Sequence, residues 1–247
     1  MTTLVLGASG ATGKHLVEQL LLMGQDVKVI VRPTANIPDT WNGNEKVTII
    51  KAGVSAMTVD EMATHTADCQ AIAFCLGHNM TFRGILGKPR KLVADAVRLV
   101  YSAVERNRPD SIVKFVLMNT SGCRNKDLNE PATLGEKLII SIIRTLVPPQ
   151  MDNEAAAEFL RLHIGQKRPD IQWVAIRPDT LINECHVTDY KLHISPKTSA
   201  LLKPGKTSRI NVGNFMARLI TENSLWEEWK GAMPVIYNSY LQRKPNR

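Results

Sequence analysis

Gly7, Gly10 and Gly13 stand at a spacing of three within Gly7-Ala8-Ser9-Gly10-Ala11-Thr12-Gly13, near the start of a 247-residue chain. That spacing suits a diphosphate. The first glycine allows a tight turn off a strand, the second lets backbone approach the ligand, and the third lets a helix pack closely on the strand. The N-terminus of such a helix offers free N–H groups and a positive dipole end to phosphate. Farther along, Arg32 follows one apolar run, Gly77 closes another, and Thr120-Ser121 close a third. In a dinucleotide-binding unit, an acidic residue at the end of the second strand holds the ribose 2′-hydroxyl, whereas an arginine accommodates a 2′-phosphate. Arg32 therefore favours NADP(H) over NAD(H), and Thr34 can add a hydroxyl contact. Thr120 and Ser121 can hydrogen-bond a carbonyl or hydroxyl beside a nicotinamide, although a plain polar turn would use the same residue types.

These residues need a scaffold that brings them to one rim. Thr3–Leu6 reads as a strand, followed by a helix with Leu16, Val17, Leu20 and Leu21 at helical spacing and a stop at Gly24. Strands are expected at Val27–Val31, Val47–Ile50 and Ala71–Leu76, with a short helix at Val59–His65. The near-continuous apolar character of Ala71–Leu76 fits a parallel strand covered on both faces. A loop over Met80–Lys88 leads to a helix over Pro89–Arg106 and a strand at Ile112–Met118. An apolar helix over Leu134–Val147, ended by Pro148-Pro149, and a helix over Asp152–His163 come next. The first of these packs into the core or roofs a pocket. Strand six, Ile171–Ile176, runs into Arg177-Pro178-Asp179. Short strands near Lys191–Ser195 and Ser208–Val212, a helix over Gly213–Glu222 and an extended Met233–Tyr237 complete the chain. The alternation of strand and helix predicts an α/β fold, a doubly wound parallel sheet of the Rossmann type. One domain covers 1–247, and residues 178–247 form a small C-terminal elaboration on the substrate side.

Composition bounds the alternatives. A hydrophobic fraction of 44% and a charged fraction of 22% are those of an ordinary globular protein, which argues against a disordered chain. No apolar run approaches the ~18 residues that span a bilayer. The N-terminus passes straight into the first strand, so no signal peptide is expected. Cys69, Cys75, Cys123 and Cys185 are scattered, without metal-ligand spacing, and read as buried thiols of a reducing compartment, the cytoplasm. The net charge of +8 is spread rather than run together, its densest groups being Lys88, Arg90, Lys91 and the tail Arg243, Lys244, Arg247. A solvated basic surface serving an anionic cofactor and a small-molecule substrate accounts for it, with neither nucleic acid nor membrane expected as partner.

Over nearly its full length the chain resembles the atypical short-chain dehydrogenases/reductases, close to the NAD(P)H-binding group of NmrA-like proteins and flavin/biliverdin-IXβ reductase. The resemblance rests on Gly7–Gly13, Arg32, Gly77, Thr120-Ser121 and Arg177-Pro178. It implies that Arg32 holds the 2′-phosphate, that Thr120 and Ser121 sit at the nicotinamide as catalytic candidates, and that Arg177-Pro178 lead into the segment bordering nicotinamide and substrate. The implied cofactor set is Gly7, Ser9, Gly10, Ala11, Thr12, Gly13, Arg32, Gly77, Thr120, Arg177 and Pro178, with no metal.

Extended members of the family carry Tyr-x-x-x-Lys, in which the tyrosine is the acid/base and the lysine lowers its pKa. Aligned on Glu154–Leu160, this chain has Gln150 at the tyrosine position and Glu154 at the lysine position. Glutamine has no useful pKa, and a carboxylate does not lower that of a phenol. The aspartate that often follows the third strand is replaced by Val54. Three functions follow: an NADPH-dependent reductase of a small conjugated acceptor, with Ser121, Thr120, His78 or Asp179 orienting the substrate; a non-catalytic redox sensor that binds NADP(H) and a regulatory protein partner; and, least favoured, an isomerase or epimerase.

Overall fold

The computed structural model describes residues 1–77, 90–128, 130, 148–197 and 205–239. Its centre is an eight-stranded sheet. In chain order the elements of the first half are β1 (Thr2–Leu6), α1 (Gly13–Leu22), β2 (Asp26–Val31), β3 (Val47–Lys51), α2 (Val59–Thr66), β4 (Ala71–Phe74), α3 (Leu92–Asn107) and β5 (Val113–Met118). The second half contributes α4 (Pro148–Phe159), β6 (Ile171–Pro178), β7 (Thr180–Ile182), β8 (Tyr190–His193), β9 (Lys206–Ser208), α5 (Arg209–Thr221), α6 (Asn223–Trp229) and β10 (Val235–Asn238). The sheet order is β3-β2-β1-β4-β5-β6-β10-β8, and β7 pairs separately with β9. All neighbours in the large sheet are parallel except β10 and β8. The strand order reverses between β1 and β4, and ligands of open α/β sheets lie in the crevice outside such a reversal.

Strand side chains alternate between two cores, as a pleated sheet covered on both faces requires. Leu4, Leu6, Ile72, Phe74, Phe115 and Leu117 face one core, shared with Val97 and Val100 of α3 and Ala156 of α4. Val5, Ala73, Val116, Val174 and Ile176 face the other, shared with Leu16 and Leu20 of α1 and Phe215 and Met216 of α5. Asp152 ties the first layer together. Its two carboxylate oxygens accept the Val93 and Ala94 backbone N–H groups at 2.8 and 2.9 Å, filling donors that open the first turn of α3.

Several expected boundaries shift for local reasons. The helix expected from Asp152 already includes Pro148 and Pro149. That helix passes into a π-helical turn at Leu160–Ile164. The strand expected at Ser208–Val212 is instead a helix start: the Ser208 side chain accepts the Asn211 N–H, and α5 begins at Arg209. The apolar helix over 134–147, the loop over 80–88, His78 and the basic tail lie outside the described residues.

Candidate functional site

The glycine turn sits at the strand-order reversal. Gly7 has φ +77° and runs so close to β4's end that an added Cβ would lie 2.6 Å from the Cys75 carbonyl carbon. At Gly13 an added Cβ would lie 2.2 Å from the Gly7 oxygen, so helix and turn pack backbone to backbone. Gly10 is different. Its N–H donates to the Gly7 carbonyl at 3.0 Å, and an added Cβ would be 3.1 Å from the Gly7 oxygen. The crowding inside the protein is therefore mild there. Ser9 is half-buried, Ala11 exposed and Thr12 buried. Thr12 is the N-cap of α1, and no side chain caps that end. The arrangement fits a diphosphate: a bare backbone surface leads onto a helix N-terminus without its own capping side chain.

Arg32 follows β2 directly and is exposed. Its carbonyl accepts the Ala35 N–H at 2.9 Å, which curls the chain after the strand. Because β2 neighbours β1, Arg32 and the glycine turn share one rim. Gly77 lies on the other side of the reversal, three residues past β4, where an added Cβ would meet nothing within 4 Å. Among the described residues, no contact demands a glycine at 77. Val54 is buried at the start of a single helical turn, Val54–Ala56.

The next part of the rim joins β5 to β6. Asn119 is buried; its side-chain amide donates to the Asn153 carbonyl of α4 at 2.9 Å, and its oxygen accepts the Thr120 N–H at 2.8 Å. The Ser121 N–H donates to the Pro178 carbonyl at 2.9 Å, so the two strand exits are laced together. Pro178 itself is buried. The Thr120 hydroxyl accepts the Gly122 N–H at 3.3 Å. Asp179 follows β6, and its carboxylate accepts the Gly205 N–H at 2.9 Å. Burial pushes the Asp179 carboxyl above its ordinary range, against the opposing pull of the Gly205 N–H, the Ser121 hydroxyl and the Thr180 N–H.

Gln150 and Glu154 lie one turn apart on α4, beside this rim. The Gln150 amide nitrogen donates to the Gly122 carbonyl at 3.2 Å and to Glu154 Oε1 at 3.0 Å. Arg177 departs from expectation. Its side chain is fully buried within β6, and it donates to the carbonyls of Met233, Cys123 and Ile194 and twice to the Glu130 carboxylate. A guanidinium has five N–H donors, and these bonds use all of them. No donor remains for a cofactor, so Arg177 is a structural tie rather than a cofactor ligand.

Tyr237 carries a feature absent from the sequence reading. It lies on β10, beside β6, and its buried hydroxyl has no hydrogen-bond partner among the described residues. Its ring packs on Gly205 so closely that an added Cβ would lie 2.3 Å from Cδ1. Only the pairing of β10 with β6, remote in sequence, brings it there. Cys69, Cys75 and Cys123 are buried, and burial raises each thiol to about 12, which keeps them inert. Cys185, expected buried, is exposed. Among the described residues no cluster could hold a metal ion, and no helix is long and apolar enough to cross a membrane.

Comparison with known proteins bears on this rim. No curated protein sequence matches the chain. Solved structures of the same fold include an oxidoreductase from Lactococcus lactis, with 17% identity, 97% of this chain and 91% of that one covered, and a TM-score of 0.66. A short-chain dehydrogenase/reductase from Veillonella parvula in complex with NADP shares 15% identity over 96% of this chain and 94% of that one, at a TM-score of 0.68. An anaerobillin reductase from Escherichia coli O157:H7 shares 15% identity over 99% and 100% of the two chains, at 0.66. The model of one family, described as NAD(P)H-binding, matches residues 7–223, from the first glycine of the turn to the start of α6. The chain belongs to the NAD(P)H-binding family of Rossmann-type proteins.

Proposed function

We propose that the protein is an NADPH-dependent oxidoreductase that reduces a small conjugated acceptor without a Tyr-x-x-x-Lys dyad. The observation that carries this reading is the Gln150–Glu154 pair on α4, hydrogen-bonded to each other and to the Gly122 carbonyl at the catalytic rim. An amide has no proton to give at neutral pH, so Gln150 cannot take the part of the tyrosine acid of an alcohol dehydrogenase. Bound NADPH supplies hydride. The protein's own share is orientation and exclusion of water: the glycine turn and the α1 N-terminus take the diphosphate, and Gly77 admits the cofactor near the end of β4. Arg32 selects the 2′-phosphate, an assignment supported by its exposed place after β2. Thr120 and Ser121 orient the acceptor.

Three buried thiols suit a reducing compartment, the cytoplasm. A small molecule is the partner under this reading, with no role for nucleic acid or membrane. The same Gln150–Glu154 pair also favours a second reading, in which the protein binds NADP(H) without turnover and reports its redox state to a regulatory partner. A binding titration with each nicotinamide cofactor, followed by NADPH oxidation against quinones, flavins and aldehydes, separates the two. Tight NADPH binding with quinone or flavin turnover supports the reductase; tight binding with no turnover supports the sensor.

A further inference from the structure

Reduction of a conjugated acceptor leaves a question that hydride transfer alone does not answer. An anion forms, and something must protonate it. Among the described residues, Asp179 is an acid suited to this. Asp179 lies at the exit of β6, with its carboxyl turned inward toward the Gly205 N–H, the Thr180 N–H and the Ser121 hydroxyl. The backbone already fixes Ser121 against this strand exit through its N–H bond to the Pro178 carbonyl, 2.9 Å long. From β10 the Tyr237 ring closes the other side over Gly205; an added Cβ there would be 2.4 Å from Tyr237 Cε1 and 3.5 Å from Asp179 Oδ2. The His193 ring of β8 stands beyond it, 5.9 Å from the Tyr237 ring centroid.

Among the described residues, Asp179 is not engaged as a structural ion pair. The influences on its carboxyl are burial, two backbone N–H groups and the Ser121 hydroxyl, with no arginine or lysine among them. Contrast Glu130, which is locked to Arg177 in the same region. A carboxyl held this way keeps its proton to higher pH than a solvated one, because burial disfavours the charged form.

We propose that Asp179, acting through the Ser121 hydroxyl, is the proton source for the reduced acceptor, and that the acceptor is a conjugated carbonyl compound whose reduced form is a basic anion. The proposal rests on the reductase reading above. An enone that has gained a hydride and its electron pair at the β-carbon is an enolate. The Ser121 O–H bond breaks toward the enolate as Ser121 Oγ takes the Asp179 carboxyl proton. The enolate becomes the neutral product, Ser121 is restored, and Asp179 is left as a carboxylate that regains its proton from water. The reductant is the nicotinamide, and no other co-reactant is needed. Through Ser121, Asp179 is a positioning and proton-supplying residue rather than a group touching substrate.

The test has two readouts. In the free protein, carbon NMR of labelled aspartate carboxyls, with Asp179→Asn to assign the signal, should show Asp179 titrating clearly above the usual value of about 3.9. In turnover, NADPH oxidation is followed with 2-cyclohexen-1-one and with menadione, whose reduced anion is already stabilised. A positioned acid contributes about 10²–10⁴-fold, so Asp179→Asn should lower enone reduction by at least about 10²-fold and menadione reduction by far less. Wild-type enone turnover should fall as pH rises through the Asp179 titration, and the variant should lose that dependence. Ser121→Ala, which keeps the carboxyl, should also lose enone reduction while Asp179 still titrates high. An ordinary Asp179 titration overturns the proposal, as does equal loss for both acceptors, or menadione turnover with no Asp179-dependent enone turnover. NADPH binding without oxidation by either acceptor removes the reductase reading and this proposal with it.

Discussion

Arg177 and Glu130 form a two-point ion pair closed off from solvent, with Nη2–Oε1 at 2.8 Å and Nη1–Oε2 at 3.0 Å and side chains 0% and 3% exposed. The pair joins the segment after β5 to β6, while the remaining Arg177 donors reach Cys123 after β5, Met233 before β10 and Ile194 after β8. One guanidinium thus fastens the loop that carries Thr120 and Ser121 to the C-terminal part of the sheet. Such a pair is weak evidence of net stability against a well-packed apolar replacement, but removing one member strands a buried charge at a cost of about 3–5 kcal/mol. Arg177→Met should therefore lower the unfolding free energy in urea by about 3–5 kcal/mol. Arg177→Met combined with Glu130→Met should recover much of the loss. Because no Arg177 donor is free for a ligand, the folded fraction of Arg177→Met should keep its NADPH affinity.

The glycine turn separates stability from binding. Gly13 has no room for a Cβ, since the Gly7 oxygen would stand 2.2 Å away and the Ala8 Cα 2.9 Å away, all backbone. Gly13→Ala should then destabilise by about 1–3 kcal/mol through overpacking and weaken cofactor binding as a consequence. At Gly10 the nearest protein atom to an added Cβ is 3.1 Å away. Gly10→Val should leave a folded protein by circular dichroism and thermal melting, yet abolish NADPH binding by filling the space where backbone meets diphosphate. A Gly10→Val protein that binds NADPH normally places the phosphates elsewhere.

The parts of this site that were legible in the sequence are local ones. Gly7 to Gly13 announce a strand-turn-helix because a turn, a close approach and a helix start each leave a residue type behind. Leu16, Val17 and Leu20 announce the buried face of α1, and all three are fully buried. The long apolar strands were equally plain. What the sequence hides depends on partners far along the chain. Arg177 reads as a rim residue until Glu130, Met233 and Ile194 are seen around it, 47, 56 and 17 residues away. Tyr237 reads as the end of a late strand until β10 pairs with β6. Ser208 is extended, as the end of β9, but the strand expected from it to Val212 is instead α5, whose first turn its hydroxyl caps. In each case a side-chain hydrogen bond or a distant strand pairing overrode the local pattern.

The proposed preference for NADPH is tested at Arg32. Arg32 is exposed at the end of β2, beside the strand that feeds the glycine turn. A hydrogen bond from a guanidinium to phosphate is worth about 1.5–3 kcal/mol, or roughly ten- to 150-fold in affinity. Arg32→Ala should weaken NADPH binding by that range in a fluorescence titration and leave NADH nearly unchanged. Equal weakening of both would mean that Arg32 does not read the 2′-phosphate.

Acceptor range tests the α4 pair. Gln150 spends its amide on the Gly122 carbonyl and on Glu154, so it is held in place but has no proton to transfer. Oxidation of a secondary alcohol requires a base to take the hydroxyl proton as hydride leaves, and a positioned group contributes about 10²–10⁴-fold. With NADP and a panel of secondary alcohols, the expected rate is low, and any turnover of these or of simple ketones should be lost on Asp179→Asn and not on Gln150→Ala. Quinones and flavins, whose reduced anions are already stabilised, should be the faster acceptors. For menadione, Ser121→Ala should lower turnover only modestly, because orientation is lost but no proton is demanded. Gln150→Ala should change it little. It removes only the hydrogen bonds to Gly122 and Glu154, neither of which moves a proton. Robust oxidation of a secondary alcohol with NADP, lost on Gln150→Ala, would show that α4 does carry acid/base chemistry and would overturn the assignment of this rim to conjugated acceptors.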